Sequence, residues 1–557
     1  MTTQAGAPPI AARTTIKLRS RIVGFGSIYG KTMRDSRLSL IIAAGLMAGM
    51  ALLLAAAVPS VFPNAAARHE IDKLIGAIPA SMVNLFGKPV GLGTLGGYFT
   101  WKYGPIFALG AALWSIMALS GTLAGEAGRG SLDLVASTPF GKRRVALEKL
   151  AAHVTVLTLA LAVLALACWA GSRLFGDAAL GDTIEPLSAV GFSLWLGFLA
   201  LFFGGLAFAL GPILGRAGSA GVAAAVLIVL WLANGFEALN LIATVSPFRW
   251  TADHIALVGQ YDWAGLALVG VVAVAFLAIG VELFARRDLG VTSGLSMPGL
   301  PKFLLGVQGS GTRAFGEQLP RALSWGLGLG LMGALIGALV GTLSSQIGSD
   351  PGLSKTFGTI FPTVDLASAG GWFQLYAEFL FIAAGFGAAT FISKWASDET
   401  GGRLEMLLST PLARSRWVVS GGISAILAVV VMTALFAAGI WLGATSGGAA
   451  AGNALTGSAA LGIYALAVVG IGVAVGGLWR TSIAAEVAAV FVVLTYIIDL
   501  VVPALKLPDW LHQLALTAHL GQPMLGIWDP AGIAACVAIA VGGIAIGAIG
   551  IRRRDVE

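Results

Sequence analysis

The stretch Glu126-Ala-Gly-Arg-Gly-Ser-Leu132-Asp133-Leu-Val-Ala-Ser137-Thr138-Pro139-Phe-Gly-Lys142 returns later in the chain as Asp398-Glu399-Thr-Gly-Gly-Arg403-Leu404-Glu405-Met-Leu-Leu-Ser409-Thr410-Pro411-Leu-Ala-Arg414. Pro139 and Pro411 stand about half a chain length apart, as a duplicated architecture requires. Each copy lies between two long apolar segments and reads as a short acidic helix at a membrane surface. Ser-Thr-Pro then ends it, because proline removes a backbone donor and constrains the residue before it. Two further punctuation points recur in phase. Arg286-Arg287-Asp288 matches Arg552-Arg553-Arg554-Asp555, and Arg216-Ala-Gly-Ser-Ala matches Arg480-Thr-Ser-Ile-Ala. Chance similarity between apolar helices would not keep charged loops in step.

The apolar segments set the class. Hydrophobic residues make up 57% of the chain and charged residues 11%, with a mean hydropathy of +0.88; soluble domains carry roughly 25% charged residues. A helix needs about 20 apolar residues to cross the hydrocarbon core. Twelve segments qualify, starting near Leu38, Tyr98, Val145, Leu187, Ala217 and Trp263 in the first half, and near Leu323, Gly371, Arg416, Leu455, Ile483 and Ala531 in the second. The expected fold is an all-α polytopic membrane protein of two parallel six-helix repeats. Its parts are a tail and amphipathic connector helix (1–37), a first repeat (38–287), a linker rich in Gly, Pro and Ser (288–315) and a second repeat (316–557).

The net charge of +7 is spread over short loops rather than gathered on one soluble face, which argues for a membrane and against nucleic acid. With the amino terminus inside, roughly three quarters of the Lys and Arg fall in cytosolic segments, the bias expected of a plasma-membrane protein with both termini cytosolic. The first 37 residues are too long and basic before their apolar run for a cleavable signal. Leu18, Ile22, Phe25, Tyr29 and Met33 instead recur at helical spacing, as in an amphipathic surface helix. The residues from Ala66 to Gly87 read as a second amphipathic helix, on the outer surface. Cys168 and Cys536 each lie inside an expected span, which supports neither a disulfide framework nor a metal site.

Glycine is 77 of 557 residues, about twice the usual share. Gly45 and Gly49 in span one, and Gly326, Gly330, Gly333, Gly337 and Gly341 in span seven, form small-xxx-small patterns that let helix backbones approach closely. The loops Ser246-Pro-Phe-Arg-Trp250 and Pro508-Asp-Trp-Leu-His512 suit the interface, where they either lid an exit path or fill space.

No phosphate cradle, zinc-protease pair or nucleophile elbow stands in the chain. If ATP supplies energy, another polypeptide binds it. The repeated acidic segment has what a force-transmitting contact needs: apolar anchors in Leu132, Leu134 and Val135 and in Leu404, Met406 and Leu407, with acids Glu126, Asp133, Asp398, Glu399 and Glu405 beside them. Basic residues follow, Lys142-Arg143-Arg144 and Arg414/Arg416, where anionic headgroups hold the next span's entry.

This order of acidic residues, Gly, Leu-Glu or Leu-Asp, a short apolar run and Ser-Thr-Pro with a basic follower resembles the coupling-helix segment of ABC-2 type exporter permeases. The two fused halves are similar to the multidrug exporter permeases of actinobacteria that carry tetronasin-type polyketide antibiotics. The resemblance implies six spans per half, a connector helix before the first, and a coupling helix between the second and third. It also implies two nucleotide-binding ATPase subunits holding ATP and magnesium, no cofactor on this chain, and an amphipathic substrate moved outward through the bilayer. The chain is then no enzyme by itself. ATPase coupling falls to Glu126, Leu132, Asp133, Thr138 and Pro139 in the first copy and to Asp398, Glu399, Leu404, Glu405, Thr410 and Pro411 in the second. The first copy departs from the pattern in Asp133 and in Arg129-Gly130-Ser131, which sets equal coupling by the two copies in question.

Among polar residues inside spans, Glu378 stands deepest and is a candidate for the transport path, since a buried carboxylate is costly. His153, Glu282 and Asp499 lie nearer span ends. The rival reading is an ion-coupled secondary transporter of major-facilitator-like arrangement. It wants Asp-Arg and Gly-Arg-Arg loops that neither half contains, and several deep titratable groups. A membrane enzyme wants a nucleophile and base, or a metal constellation, and finds neither.

Overall fold

The computed structural model of the chain describes residues 27–61, 63–73, 80–123, 141–235, 239–286, 309–360, 364–448, 451–504 and 507–554. In lipid a backbone must satisfy its polar groups internally, and a helix does so within one segment. Eleven helices among the described residues are long and apolar enough to cross a membrane, and a shorter apolar helix stands where span five was expected. Spans one to six are Arg37–Pro59, Leu95–Thr122, Lys142–Phe175, Pro186–Arg216, Gly218–Ala233 and Trp263–Arg286. Spans seven to twelve are Ser310–Ala338, Phe379–Thr400, Arg414–Ser446, Gly452–Leu478, Thr481–Asp499 and Pro530–Gly550. The only strands in the described residues are two-residue ones, Gly521–Gln522 paired with Ile527–Trp528. The chain is an all-α polytopic membrane protein.

The two halves use the same pairings. Span one packs on span three and seven on nine; six packs on four and twelve on ten; two packs on the four–five pair and eight on ten and eleven. They also meet through matching elements, the four–five pair against span seven and span eleven against span one. Outward-facing residues such as Ile41, Val271, Val274 and Trp441 are exposed, an apolar skin suited to acyl chains.

Spans four and five form one helical run broken at Gly215, whose φ of 69° is left-handed. The chain turns back there. Trp195 of span four and Trp231 of span five both line one cavity at the far end of the bundle, while Arg216 lies beside Gly121 near the start of the repeated acidic segment. In the second half the matching reversal falls at Trp479 and Arg480, where span ten ends and a single 3-10 turn, Thr481–Ile483, begins span eleven.

Glycine seams join the helices of the second half. A Cβ on Gly439 would sit 1.9 Å from the Gly330 carbonyl oxygen, one on Gly443 2.0 Å from that of Ala334, and one on Gly447 2.5 Å from that of Ala338. Spans seven and nine therefore touch backbone to backbone. Spans ten and twelve do the same, with Gly543 against the Gly470 carbonyl and Gly477 against that of Gly547. The pattern read in span one behaves otherwise: a Cβ on Gly45 or Gly49 would meet nothing within 4 Å. The close approach to span three is made instead at Gly171, facing Ala55.

Of the expected connector helix, residues 1–26 lie outside the described residues. Its end is the helix Ile28–Asp35, capped by Ser27 and held on span three by Glu148, whose Oε2 accepts from the Ile28 and Tyr29 amides at 3.0 and 3.2 Å. In the second half the helix starts at Ser310 and runs unbroken into span seven. There Arg313 and Lys394 both pair with Glu317, at 2.9 and 2.6 Å, tying the helix start to span eight.

Replacing Gly439 by Val forces backbone or side chains apart at the span seven–nine seam, and overpacking costs about 1–3 kcal/mol or more. Gly45→Ala is expected to leave stability unchanged or slightly raised. Thermal unfolding of the two variants in one lipid system checks the contrast, and equal midpoints would contradict it.

Candidate functional site

The second copy of the acidic segment is described in full. Span eight ends at Thr400, and Gly402, with a φ of 69°, turns the chain into the six-residue helix Arg403–Leu408. The helix closes on side chains: Ser409 Oγ donates to the Met406 carbonyl at 2.7 Å, and Thr410 Oγ1 donates to that of Leu407. Pro411 follows, and span nine starts at Arg414. This is the helix, proline break and basic entry expected from sequence.

Its side chains divide into two sets. Leu404, expected to anchor a partner's groove, is only 1% exposed and is buried within this chain. Leu407 and Leu408 pack partly against the same core. Arg403, Glu405, Ser409, Thr410 and Pro411 are exposed, and Met406 is 66% exposed. A helix of this length presents one face inward and one outward, so Glu405 and Met406 form the free tip.

The acids before the tip also face inward. Glu399 receives both Arg554 Nη2 contacts at 2.7 and 2.6 Å and the Thr481 hydroxyl at 2.7 Å. The side chains of this pair are 6% and 14% exposed. Arg554 also donates to the Trp479 carbonyl at 3.1 Å and accepts at its own carbonyl from Arg414 at 2.9 Å. One carboxylate thereby joins the end of span eight, the span ten–eleven reversal and the segment beyond span twelve, and through Arg414 the start of span nine. Asp398 accepts from Arg313 at 3.4 Å and from the Trp417 indole at 3.3 Å. Asp398 and Glu399 thus hold the tip in place, whereas Glu405 is part of the exposed tip itself.

Glu126, Leu132, Asp133, Thr138 and Pro139 lie outside the described residues. At its edges Arg143 pairs with Glu282 at 2.7 Å and Glu282 with Arg286 at 2.6 Å. The start of span three is thus tied to the end of span six, as Arg414 ties span nine to the segment after span twelve. Glu378 falls on the helix Ala369–Thr400, and its side chain lies outside the described residues. Two of the other sequence candidates have partners: His153 Nε2 lies 2.9 Å from the Ser115 hydroxyl, and Asp499 bonds to Thr517 and to His512.

Sequence reading missed the clamps at the opposite end. Arg68 grips Asp182 at 2.5 and 2.9 Å, and the fully buried Asp182 carboxylate also accepts the Leu95 and Asp177 amides. The segment holding Arg68, expected as a surface helix, is helical over Ala65–Lys73 and over Ala80–Phe86, with residues 74–79 outside the described residues. His254, between spans five and six, is buried. Its Nε2 donates to the Gly191 carbonyl at 3.2 Å and its Nδ1 accepts the Asp262 amide at 3.2 Å. That pattern fits the neutral ring, and burial lowers its pKa against the opposing pull of the Gly191 and Asp262 contacts. A lone His or Arg in a loop carries no signal of such a partner.

Residues 314–552 match the family model described as the multidrug efflux system permease Rv1217c, C-terminal domain. No curated protein matches the chain at a significant level. The matched stretch contains the Arg403–Leu408 helix and all of Glu399, Thr481 and Trp479, and stops two residues before Arg554. With the apolar helices, it supports a multi-pass transport permease of the efflux kind rather than an enzyme.

Removing one partner from a buried pair strands the other charge and costs about 3–5 kcal/mol. Arg554→Met is expected to destabilise by that order, and the double variant Arg554→Met/Glu399→Leu to recover part of it, as read by thermal unfolding. Because the folded His254 resists protonation, its contribution is complete above the unfolded value of about 6.5 and declines as pH falls from there toward the lowered folded value. His254→Gln is expected to flatten the loss of stability between pH 7 and 5; an unchanged slope would count against it.

Proposed function

We propose that the chain is the membrane-spanning permease of an ABC-2 type exporter in the plasma membrane, with both termini cytosolic. It moves amphipathic compounds outward, using ATP hydrolysed with magnesium on two separate nucleotide-binding subunits. The reading is supported most by the free tip of Glu405 and Met406 on a helix tied by Glu399 to four spans. An exposed methionine beside a carboxylate, outside any apolar span, suits a partner's groove with a basic rim. Its rigid mounting suits transmission of movement, since a push on the tip reaches span eight, the span ten–eleven reversal and the segment after span twelve together. The match over residues 314–552 supports the efflux class.

Transport in this reading alternates as the partner subunits close and part. Closure pulls on the coupling helices, and the seam between the halves, where span eleven meets span one and the four–five pair meets span seven, opens to one side or the other. The glycine seams within the second half keep its helices moving as a body.

The test begins with gentle purification from the native membrane, mass spectrometry of what accompanies the chain, and ATP hydrolysis in the same sample. A stoichiometric ATPase near two copies per chain is expected. Glu405→Lys with Met406→Lys should release it about 30-fold more readily, the effect of a hot-spot loss of about 2 kcal/mol. Unfolding should move little, because exposed substitutions stay within about 0.5 kcal/mol. A chain that purifies alone and moves solute down an ion gradient without ATP would overturn the proposal.

A further inference from the structure

At the end of the bundle opposite the coupling helix lies a cavity of about 740 Å³, within the first half and closed on one side by Ala338 of span seven. Its size fits a drug-sized molecule. Phe86, Trp101, Trp195, Trp231 and Phe248 wall it, flat surfaces suited to a planar apolar body. Span two is not regular there: Phe99–Tyr103 is a π-helical turn, a local rearrangement often found at functional sites.

Two buried polar atoms on this wall have no hydrogen-bond partner: Trp101 Nε1 and Asn234 Oδ1. The neighbouring tryptophans are satisfied, Trp195 by the Thr251 hydroxyl at 2.9 Å and Trp231 by the Leu85 carbonyl at 3.2 Å. Trp101 is 3% exposed and keeps a free donor. The Asn234 amide nitrogen is spent on the Leu230 and Trp231 carbonyls and the Ser246 hydroxyl. Those carbonyls fix the orientation of the amide and leave its oxygen as a free acceptor. Leaving such atoms unpaired costs about 1–3 kcal/mol each, which a ligand carrying one acceptor and one donor offsets.

Charge narrows the ligand further. Among the described residues the wall includes Lys88 and Arg249 and no Asp or Glu. Lys88 is paired with Asp253, just off the wall, and Arg249 bonds to the neutral Asn240 side chain. Among these described residues a cationic amphiphile therefore meets a guanidinium and no counter-ion, whereas a carboxylate or a neutral amide meets donors. His254, also on the wall, has its Nε2–H engaged with Gly191 and leaves the selection to Arg249, Trp101 and Asn234.

We propose that this cavity binds non-cationic amphiphiles, with a flat apolar body and an amide or carboxyl group placed between Trp101 and Asn234. It names the substrate class of the exporter reading and rests on that reading for the direction of movement. Span seven contributes to the wall, so a shift between the halves alters the cavity and couples its occupancy to the transport cycle.

The test uses the full chain in lipid nanodiscs and three photoprobes sharing one benzophenone: 4-benzoylbenzoate, 4-benzoylbenzamide and 4-benzoylbenzyl-trimethylammonium. Cross-links are mapped by mass spectrometry. The acid and the amide are expected to label peptides containing Trp101, Trp231 or Phe248 about tenfold more than the ammonium probe. Trp101→Phe should lower that labelling about fivefold, the equivalent of one net hydrogen bond of about 1 kcal/mol. Arg249→Glu, at an exposed site, should shift preference toward the ammonium probe. It remains decisive if Trp101→Phe fails to fold. Equal labelling by all three probes, labelling confined to lipid-facing peptides, or an Arg249→Glu variant with unchanged preference would overturn the proposal. Labelling requires neither ATP nor a partner, so intact labelling without ATP-dependent transport would overturn the exporter reading and leave the cavity standing.

Discussion

Helices in lipid gain little by burying one apolar side chain against another, because an acyl chain is an equally good neighbour. Their association must come from close packing and from polar contacts. In this chain the close packing is made by glycine, at seams where the Gly330 and Ala334 carbonyls of span seven face Gly439 and Gly443 of span nine, and where Gly470 meets Gly543. Any side chain there would occupy the partner's backbone. The seams set which helices pair, and the pairing sets where the loops emerge.

Polar contacts do the complementary work at the ends of the bundle. Glu399 with Arg554 and Thr481 binds the end of the second half that carries the Arg403–Leu408 helix, and Arg68 with Asp182 binds the opposite end of the first. Both are buried charge pairs, which give geometry more dependably than net stability. Each carboxylate is surrounded by enough donors to be fully engaged, the condition under which burial of charge is tolerated. The Arg403–Leu408 helix is consequently held firmly to the bundle rather than carried on a loose loop.

The halves repeat in pairing but not in detail. Backbone-to-backbone seams mark spans seven with nine and ten with twelve, whereas Gly205, Gly270 and Gly280 in the first half face side chains of the partner helix such as Phe276, Phe198 and Phe208. The first half, less tightly zipped, holds the large aromatic cavity and the π-helical turn. Such a division suits one half that moves as a body and another that houses a ligand.

Apolar length, glycine spacing and the repeated Ser-Thr-Pro segment were enough to determine the helical membrane class, the places of the spans and the position of the short helix Arg403–Leu408, because each depends on residues close together in the chain. The close packing of span seven was legible for the same reason. The similar pattern of Gly45 and Gly49 was not realised, because a small residue makes a seam only when another helix comes to it. Which acids stay exposed and which are tied into the fold could not be read either: Glu399 and Glu405 look alike in sequence, and only the arrival of Arg554 and Thr481 from distant parts of the chain decided between them. The tertiary structure alone brought Trp101 and Asn234 to one cavity, since hydrogen-bond satisfaction is settled by neighbours that are far away along the chain.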